Sequence, residues 1–205
     1  DTVNNNPRNI VAKKDGIIKK VIANKGEIIR DMDDYVQKGE LIISGDLIFN
    51  NEVKGRVRSE GKVYAEIWYL TKVSYPFAID KKEFTGRRKD VLVLKFLNKR
   101  FEFRFDKFKQ KKIKEKVIIS HRFLPIKLAL EKQKEMRIVN QILTYDEALE
   151  YAKKASQREI KSKLKDDEYI IKSTYLKSSV NNSTIDVEMF FAVYEDITDY
   201  VEIGE

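Results

Sequence analysis

The distribution of glycine constrains the fold of this chain more than any other feature of its sequence. The chain has 205 residues and eight glycines, and six of those glycines lie before residue 62. These six are Gly16, Gly26, Gly39, Gly45, Gly55 and Gly61. Apolar runs of strand length, such as residues 10–12, 16–22 and 40–43, lie among them. Because glycine permits tight turns, we expect the first third of the chain to be built from short β-strands.

This N-terminal region also contains an internal repeat. Residues 25–29 recur as residues 38–42, and residues 11–18 recur more loosely from residue 57 onward. Two related halves of short strands predict a small pseudo-symmetric barrel or sandwich. The pattern resembles the biotinyl/lipoyl-like barrel-sandwich hybrid, in which glycines close the turns between short strands. The positions that carry this resemblance are Ala12, Asp15, Gly16, Ile18, Gly26, Val36, Gly39, Ile42, Gly61 and Val63.

Cofactor carriers of that fold hold biotin or lipoate on a lysine in the hairpin between the two halves. The equivalent stretch here is residues 50–55, which includes Lys54 but has neither the Met-Lys-Met nor the Asp-Lys-Ala motif of the carriers. An ordinary solvated lysine is therefore the better interpretation of Lys54. We accordingly predict no cofactor for this chain.

Positive charge is concentrated in the middle of the chain. The formal net charge is +8, whereas residues 81–143 alone carry a net charge of +13. A basic surface of this kind favours an anionic partner. We expect it to face an anionic membrane, an acidic wall polymer or an acidic protein. The candidate surface-contact residues are Arg87, Arg88, Lys89, Lys107, Lys109, Lys111, Lys112 and Lys114.

The rest of the chain predicts an antiparallel sheet covered by one long helix. The predicted strands include residues 91–97, 101–105, 125–130 and 184–194. Thr144 to Glu147 form a capping box, which marks the start of a helix over about residues 145–165. We therefore predict a mainly β (α+β) chain with two domains. Residues 1–80 form the barrel-sandwich hybrid-like domain, and residues 81–205 form the sheet with its helix.

Few catalytic chemistries are open to this composition. The chain has no cysteine and one histidine, His121, which excludes cysteine nucleophiles and multi-histidine metal centres. The sequence also lacks the glycine motifs of nucleotide-binding loops and the nucleophile elbow of serine hydrolases. We expect no enzymatic activity, no catalytic residue and no metal site. A cell-wall polymer hydrolase with paired carboxylates stays open as an alternative, because acidic residues are plentiful.

Nucleic-acid binding is a less favoured alternative. Basic and aromatic residues alternate over residues 99–108, as they do on sheets that stack single-stranded bases. The same alternation arises on any strand with one buried face. We therefore expect no nucleic-acid partner.

Three blocks of the sequence resemble the YqfD family of sporulation proteins. They are residues 6–18, 36–45 and 57–69. The stretch 124–126 with Glu131, the helix from Thr144 and residues 194–197 also fit. The resemblance covers nearly the whole chain. It implies a role in completing the spore after engulfment, with no known enzymatic reaction. Our prediction is a module that acts through a protein partner or self-association in the spore envelope.

The resemblance also implies a longer parent protein with a membrane-spanning helix before Asp1. The apolar runs of the chain itself are only a few residues long, far short of the roughly 20 residues needed to span a bilayer. The resemblance further implies that this part is extracytoplasmic and lies between the mother cell and forespore membranes.

Overall fold

The computed structural model describes residues 6–50, 52–103, 107–121 and 124–204. In this described part, mostly antiparallel strands are joined by one helix, so the predicted mainly β fold is confirmed. The elements in chain order are β1 (Arg8–Ala12), β2 (Gly16–Lys25), β3 (Glu27–Ile28), β4 (Tyr35–Val36), β5 (Leu41–Ser44), β6 (Asp46–Phe49), β7 (Glu52–Arg56), β8 (Glu60–Pro76), β9 (Ala78–Phe96), β10 (Lys99–Glu102), β11 (Lys111–Ser120), β12 (Ile126–Ile142), α1 (Tyr145–Lys161), β13 (Tyr169–Asn181), β14 (Thr184–Asp196) and β15 (Thr198–Glu202).

The contacts divide the chain into two compact units. Unit 1 combines the residues up to Pro76 with those from Thr144 onward, and unit 2 is the continuous segment Phe77–Leu143. This division differs from the predicted domains at residues 1–80 and 81–205. The first boundary lies close to the predicted one, but the C-terminal residues belong with the N-terminal strands. The reason is that β14 pairs with β8 along its whole length, and alternation in a sequence indicates a strand without indicating its partner.

Unit 1 contains two sheets and a hairpin of β6 and β7. One sheet has the order β15-β1-β5-β3 and the other has the order β13-β14-β8-β2-β4. These sheets are open rather than closed into a barrel, and the barrel-sandwich hybrid detail is not confirmed. Residues of both sheets share one hydrophobic core, which consists of Ile10, Ala12, Ile18, Val36, Ile42, Ile43, Val63, Ala65, Ile67 and Ile197.

The helix α1 begins with the predicted capping box. The Thr144 side chain accepts a hydrogen bond from the Glu147 backbone N–H, and the Glu147 carboxylate accepts one from the Thr144 backbone N–H at 2.9 Å. These bonds satisfy amides that lack partners within the helix. The helix contacts β8, β14 and β13, so it covers the larger sheet of unit 1. The alternating apolar residues of β14 are buried as predicted, namely Ile185, Val187, Met189, Phe191 and Val193.

Unit 2 is a four-stranded antiparallel sheet with the order β10-β9-β12-β11. The predicted hairpin of residues 91–97 and 101–105 is present in part as β9 and β10, which pair from Phe96 opposite Lys99. Its residues 104 and 105 lie outside the described part of the chain. One face buries Val91, Val93 and Ala129. Phe108, after β10, is also buried and lies against this face, with the Lys89 Nζ atom 4.3 Å from its ring centre. The opposite face is open and carries the candidate site.

Candidate functional site

Two rows of basic side chains cross the open face of unit 2. In the first row, Arg88 of β9 lies opposite Lys134 of β12, and Lys134 lies opposite Lys112 of β11. In the next row, Lys132 lies between Asp90 and Lys114. Side chains directly opposite each other on antiparallel strands share a face. We call the five basic residues of these rows, Arg88, Lys112, Lys114, Lys132 and Lys134, the basic band.

The basic band is exposed, and its side chains lack ion pairs in the described part of the chain. All five of its side chains are exposed, and within the described part of the chain none of them forms an ion pair. Lys134 lies over the ring of Phe84, with its Nζ atom 5.8 Å from the ring centre. Like charges directly opposite each other destabilise a sheet. An anion bound between these rows would therefore relieve a repulsion that is built into the register. A cleft of about 400 Å³ lies there, lined by Phe84 and the four lysines of the band.

Apolar side chains continue the same face beyond the basic band. The next rows pair Leu92 with Leu130, Leu94 with Leu128 and Phe96 with Ile126. On β10, Phe101 lies opposite Leu94. Leu92, Phe96 and Phe101 are between 40% and 49% exposed, which is high for side chains of this size. We call these residues the apolar band: Leu92, Leu94, Phe96, Phe101, Ile126, Leu128 and Leu130.

The buried face of unit 2 contains a cluster of charged groups that are paired with one another. The Arg100 Nη2 atom donates to Glu131 at 2.6 Å, and the other terminal nitrogen contacts Glu102. Lys111 donates to Glu102 at 2.8 Å, and Gln133 donates to Glu131 at 3.0 Å. The side chains of Glu102 and Glu131 are only 4% and 2% exposed. This cluster is not predictable from the sequence, because its members are distant in sequence and meet only through strand pairing.

The pKa of Glu102 reflects this pairing. Burial alone would raise the pKa of the carboxyl, but hydrogen bonds from Lys111 and Arg100 outweigh burial and lower that pKa to about 2. The folded state therefore holds the carboxylate ionised at a pH where the unfolded chain has already taken up a proton. The stabilisation is complete above the unfolded pKa of about 4.5 and is lost as the pH falls towards 2.

We expect acid to destabilise unit 2 through this carboxylate. The wild-type free energy of unfolding should fall between pH 5 and pH 2 by more than that of Glu102→Gln, and the difference should reach about 3 kcal/mol. Urea unfolding at a series of pH values measures both curves. The matched control is Glu52→Gln, because Glu52 is 71% exposed in its pair with Lys54. Parallel curves for wild type and Glu102→Gln would contradict the assignment.

The structure places three of the eight predicted contact residues in the basic band: Arg88, Lys112 and Lys114. Lys107 and Lys109 are exposed elsewhere on unit 2 and line an open cleft of about 470 Å³ with Arg137 and Glu135. Arg87 is exposed and its Nη1 atom lies 3.5 Å from Glu135. No finding tests whether any of these residues contacts a partner, so that part stays a prediction.

Two of the eight are corrected by the structure. Lys89 is only 8% exposed, and the side chain of Lys111 is 18% exposed in its ion pair with Glu102. Both lie on the buried face, because successive residues of a strand point to opposite faces. Conversely, Lys132 and Lys134 lie in the basic band but were not among the predicted contact residues. Their two-residue spacing, which repeats that of Lys112 and Lys114 on the neighbouring strand, could have indicated that they share a face.

A second charged cluster lies in unit 1. Glu195 of β14 accepts hydrogen bonds from the Tyr69 hydroxyl at 2.6 Å and from Lys14 at 2.5 Å, and Lys14 also donates to Tyr69 at 2.7 Å. Burial, followed by the hydrogen bond to Glu195, raises the pKa of Tyr69. The three groups satisfy one another, and they tie the turn after β1 to the sheet of β8 and β14.

Neither a metal cluster nor a membrane-spanning helix is found among residues 6–50, 52–103, 107–121 and 124–204. No group of three or more His, Cys, Asp or Glu side chains there could hold a metal ion. No helix in the same residues has the length and hydropathy needed to cross a bilayer.

The fold and the open face of unit 2 together define an antiparallel β protein with an exposed cationic surface. The chain belongs to the YqfD family: the family described as "Putative stage IV sporulation protein YqfD" matches residues 1–197. A Bacillus subtilis (strain 168) protein named "Uncharacterized protein YqfD" is 37% identical over 81 residues. That match covers 40% of this chain and 20% of the relative, so it spans about a fifth of the relative's length. No solved structure matches the chain. The predicted family is thus confirmed, and membership supports a role in sporulation.

Proposed function

We propose that this chain is a non-enzymatic, extracytoplasmic module of a membrane-anchored sporulation protein. It acts through contacts with a protein partner or an envelope surface during spore formation. The observation that carries the proposal is the basic band. Five exposed cations stand in adjacent rows on one face of a sheet, without ion pairs in the described part of the chain. Such a surface is complementary to a polyanionic partner.

The paired carboxylates of unit 2 do not offer the protonated acid that the alternative of a wall-polymer hydrolase requires. Glycoside hydrolysis needs one carboxylic acid that still holds its proton when the leaving group departs. Glu102 instead has its pKa lowered to about 2 and is hydrogen-bonded to Lys111 and Arg100. Glu131 is bound to the same arginine and is 2% exposed. Both carboxylates are arranged to neutralise cations within the fold.

The proposed location is what the resemblance to the YqfD family implies. The chain aligns with only a fifth of its Bacillus subtilis relative, and the resemblance implies a membrane helix in the longer parent. In our proposal the module is held by that anchor in the space between mother cell and forespore membranes. The partner in that space is an acidic surface or protein, or a second copy of the module.

Complementation in sporulating cells tests this proposal. The full-length parent protein, with Lys112→Glu and Lys114→Glu, is returned to a strain that lacks it. We expect heat-resistant spores to fall towards the level of the deletion strain, with unchanged amounts of protein. The control carries Lys38→Glu and Lys154→Glu, which make the same charge change at exposed positions of unit 1. Normal sporulation with the first pair, or wall hydrolysis by the purified chain that Glu102→Gln abolishes, would overturn the proposal.

A further inference from the structure

The basic band and the apolar band lie side by side on one face. Together they favour a partner that has both anionic and apolar groups. We propose that the open face of unit 2 binds the surface of a bilayer that contains anionic phospholipid. The basic band contacts the headgroups, and the apolar band inserts at the boundary between headgroups and acyl chains. The inference rests on the proposed function, because it names the envelope surface that the module contacts.

The geometry of the basic band suits a layer of phosphate groups. Neighbouring strands are about 4.8 Å apart, and rows two residues apart along a strand are separated by about 7 Å. The five cations therefore form two adjacent rows, in which Asp90 is the acidic member. Lysine and arginine side chains are long enough to reach headgroups from the face of a sheet. Anionic headgroups between the rows would offset the repulsion of Lys112, Lys134 and Arg88.

The apolar band distinguishes a bilayer from a soluble polyanion. A wall polymer or an acidic protein tail would satisfy the cations but would leave Leu92, Phe96 and Phe101 in water. A bilayer surface accepts both kinds of side chain, since peripheral proteins bury apolar groups at the acyl boundary beside a cationic rim. Electrostatic attraction and apolar insertion reinforce each other, because stable peripheral binding usually needs two signals.

Vesicle sedimentation tests the electrostatic half of the inference. We expect the purified chain to bind phosphatidylcholine vesicles that contain about 30% phosphatidylglycerol at about 0.15 M salt, and not vesicles of phosphatidylcholine alone. Lys132→Glu with Lys134→Glu should lower the partition coefficient roughly tenfold or more. Lys38→Glu with Lys154→Glu, the matched charge change in unit 1, should leave it unchanged. Circular dichroism of each variant establishes that it is folded.

Tryptophan fluorescence tests insertion. Trp68 is the one tryptophan of the chain, so Trp68→Phe provides a silent background. In that background, the tryptophan emission of the Phe96→Trp protein should shift to the blue on anionic vesicles, and brominated lipid should quench it. Leu70→Trp is the control, because Leu70 is 75% exposed on unit 1, and its emission should not change.

The outcomes separate this inference from the proposed function. Binding to soluble polyglutamate with no binding to anionic vesicles would overturn the lipid partner and leave an acidic partner in place. Vesicle binding without a blue shift of the Phe96→Trp emission would overturn insertion, and with it the inference as stated. If neither polyglutamate nor vesicles bind, and the lysine variants sporulate normally, both the inference and the proposed function fail.

Discussion

Replacing Gly61 with alanine should destabilise unit 1 by about 3 kcal/mol or more. A Cβ atom at position 61 would lie 2.2 Å from the backbone oxygen of Ile22 and 3.2 Å from the Cα atom of Ala23. Gly61 pairs with Ala23 in the ladder between β2 and β8. The clash is therefore with backbone that cannot withdraw without breaking strand pairing, whereas a flexible side chain would give way cheaply.

Urea unfolding followed by Trp68 fluorescence measures this effect, because Trp68 lies on β8 in unit 1. The control is Gly55→Ala. A Cβ atom at position 55 has no neighbour within 4 Å. We therefore expect the free energy of unfolding of the Gly55→Ala protein to differ from the wild-type value by less than about 0.5 kcal/mol. A Gly61→Ala protein with wild-type stability would show that β2 and β8 can separate at this point without cost.

Replacing Arg100 with leucine should destabilise unit 2 by about 3 to 5 kcal/mol. Arg100 is the cation shared by Glu102 and Glu131, and both carboxylates are almost completely buried. Its removal leaves Glu131 without a charged partner in the described part of the chain. Removing one partner of a buried ion pair costs more than the pair contributes, because the remaining charge stays desolvated.

Hydrogen exchange of the β9 and β12 amides, measured with and without urea, reports the stability of unit 2. Arg137→Leu is the matched control. The Arg137 Nη2 atom lies 3.8 Å from Glu83 in a pair whose arginine is 66% exposed, and loss of an exposed pair costs at most about 1 kcal/mol. Equal effects of the two substitutions would mean that the Arg100 cluster is solvated in solution. Arg100→Lys should retain part of the stability, because it keeps the charge and loses the forked geometry.

The N-terminal glycines show how far sequence alone leads. Their density predicted short strands correctly, and Gly26 and Gly39 adopt the positive φ values that tight turns require. Gly45 and Gly61 serve a different purpose, since a Cβ atom at either position would lie within 2.6 Å of backbone oxygen. Close approach of two strands depends on pairing across the fold. A single sequence does not distinguish such a glycine from one that is needed for a turn.

The candidate site illustrates the same limit. The lysine-rich stretch was visible in the sequence, but a strand sends alternate residues to opposite faces. The side chain of Lys111 therefore lies in an ion pair on the buried face, and the side chain of Lys112 lies on the open face. The contribution of Lys132 and Lys134 depends on the register between β11 and β12. That register joins residues about 20 positions apart and includes a bulge between Val117 and Ile119. The helix was predictable because its capping box is local in sequence. The packing of the helix against β8 was not predictable.

In the sequence, unit 2 lies between the two segments of unit 1, and this affects the order in which the nascent chain can fold. Strand β8 ends at Pro76, whereas its partner β14 ends at Asp196, about 120 residues later. At a synthesis rate of about 5 to 20 residues per second, β8 waits roughly 6 to 24 seconds for that partner. Unit 2 is continuous in sequence and ends at Leu143. We therefore expect unit 2 to acquire protected amides before β14 has been synthesised, while β8 still lacks that partner.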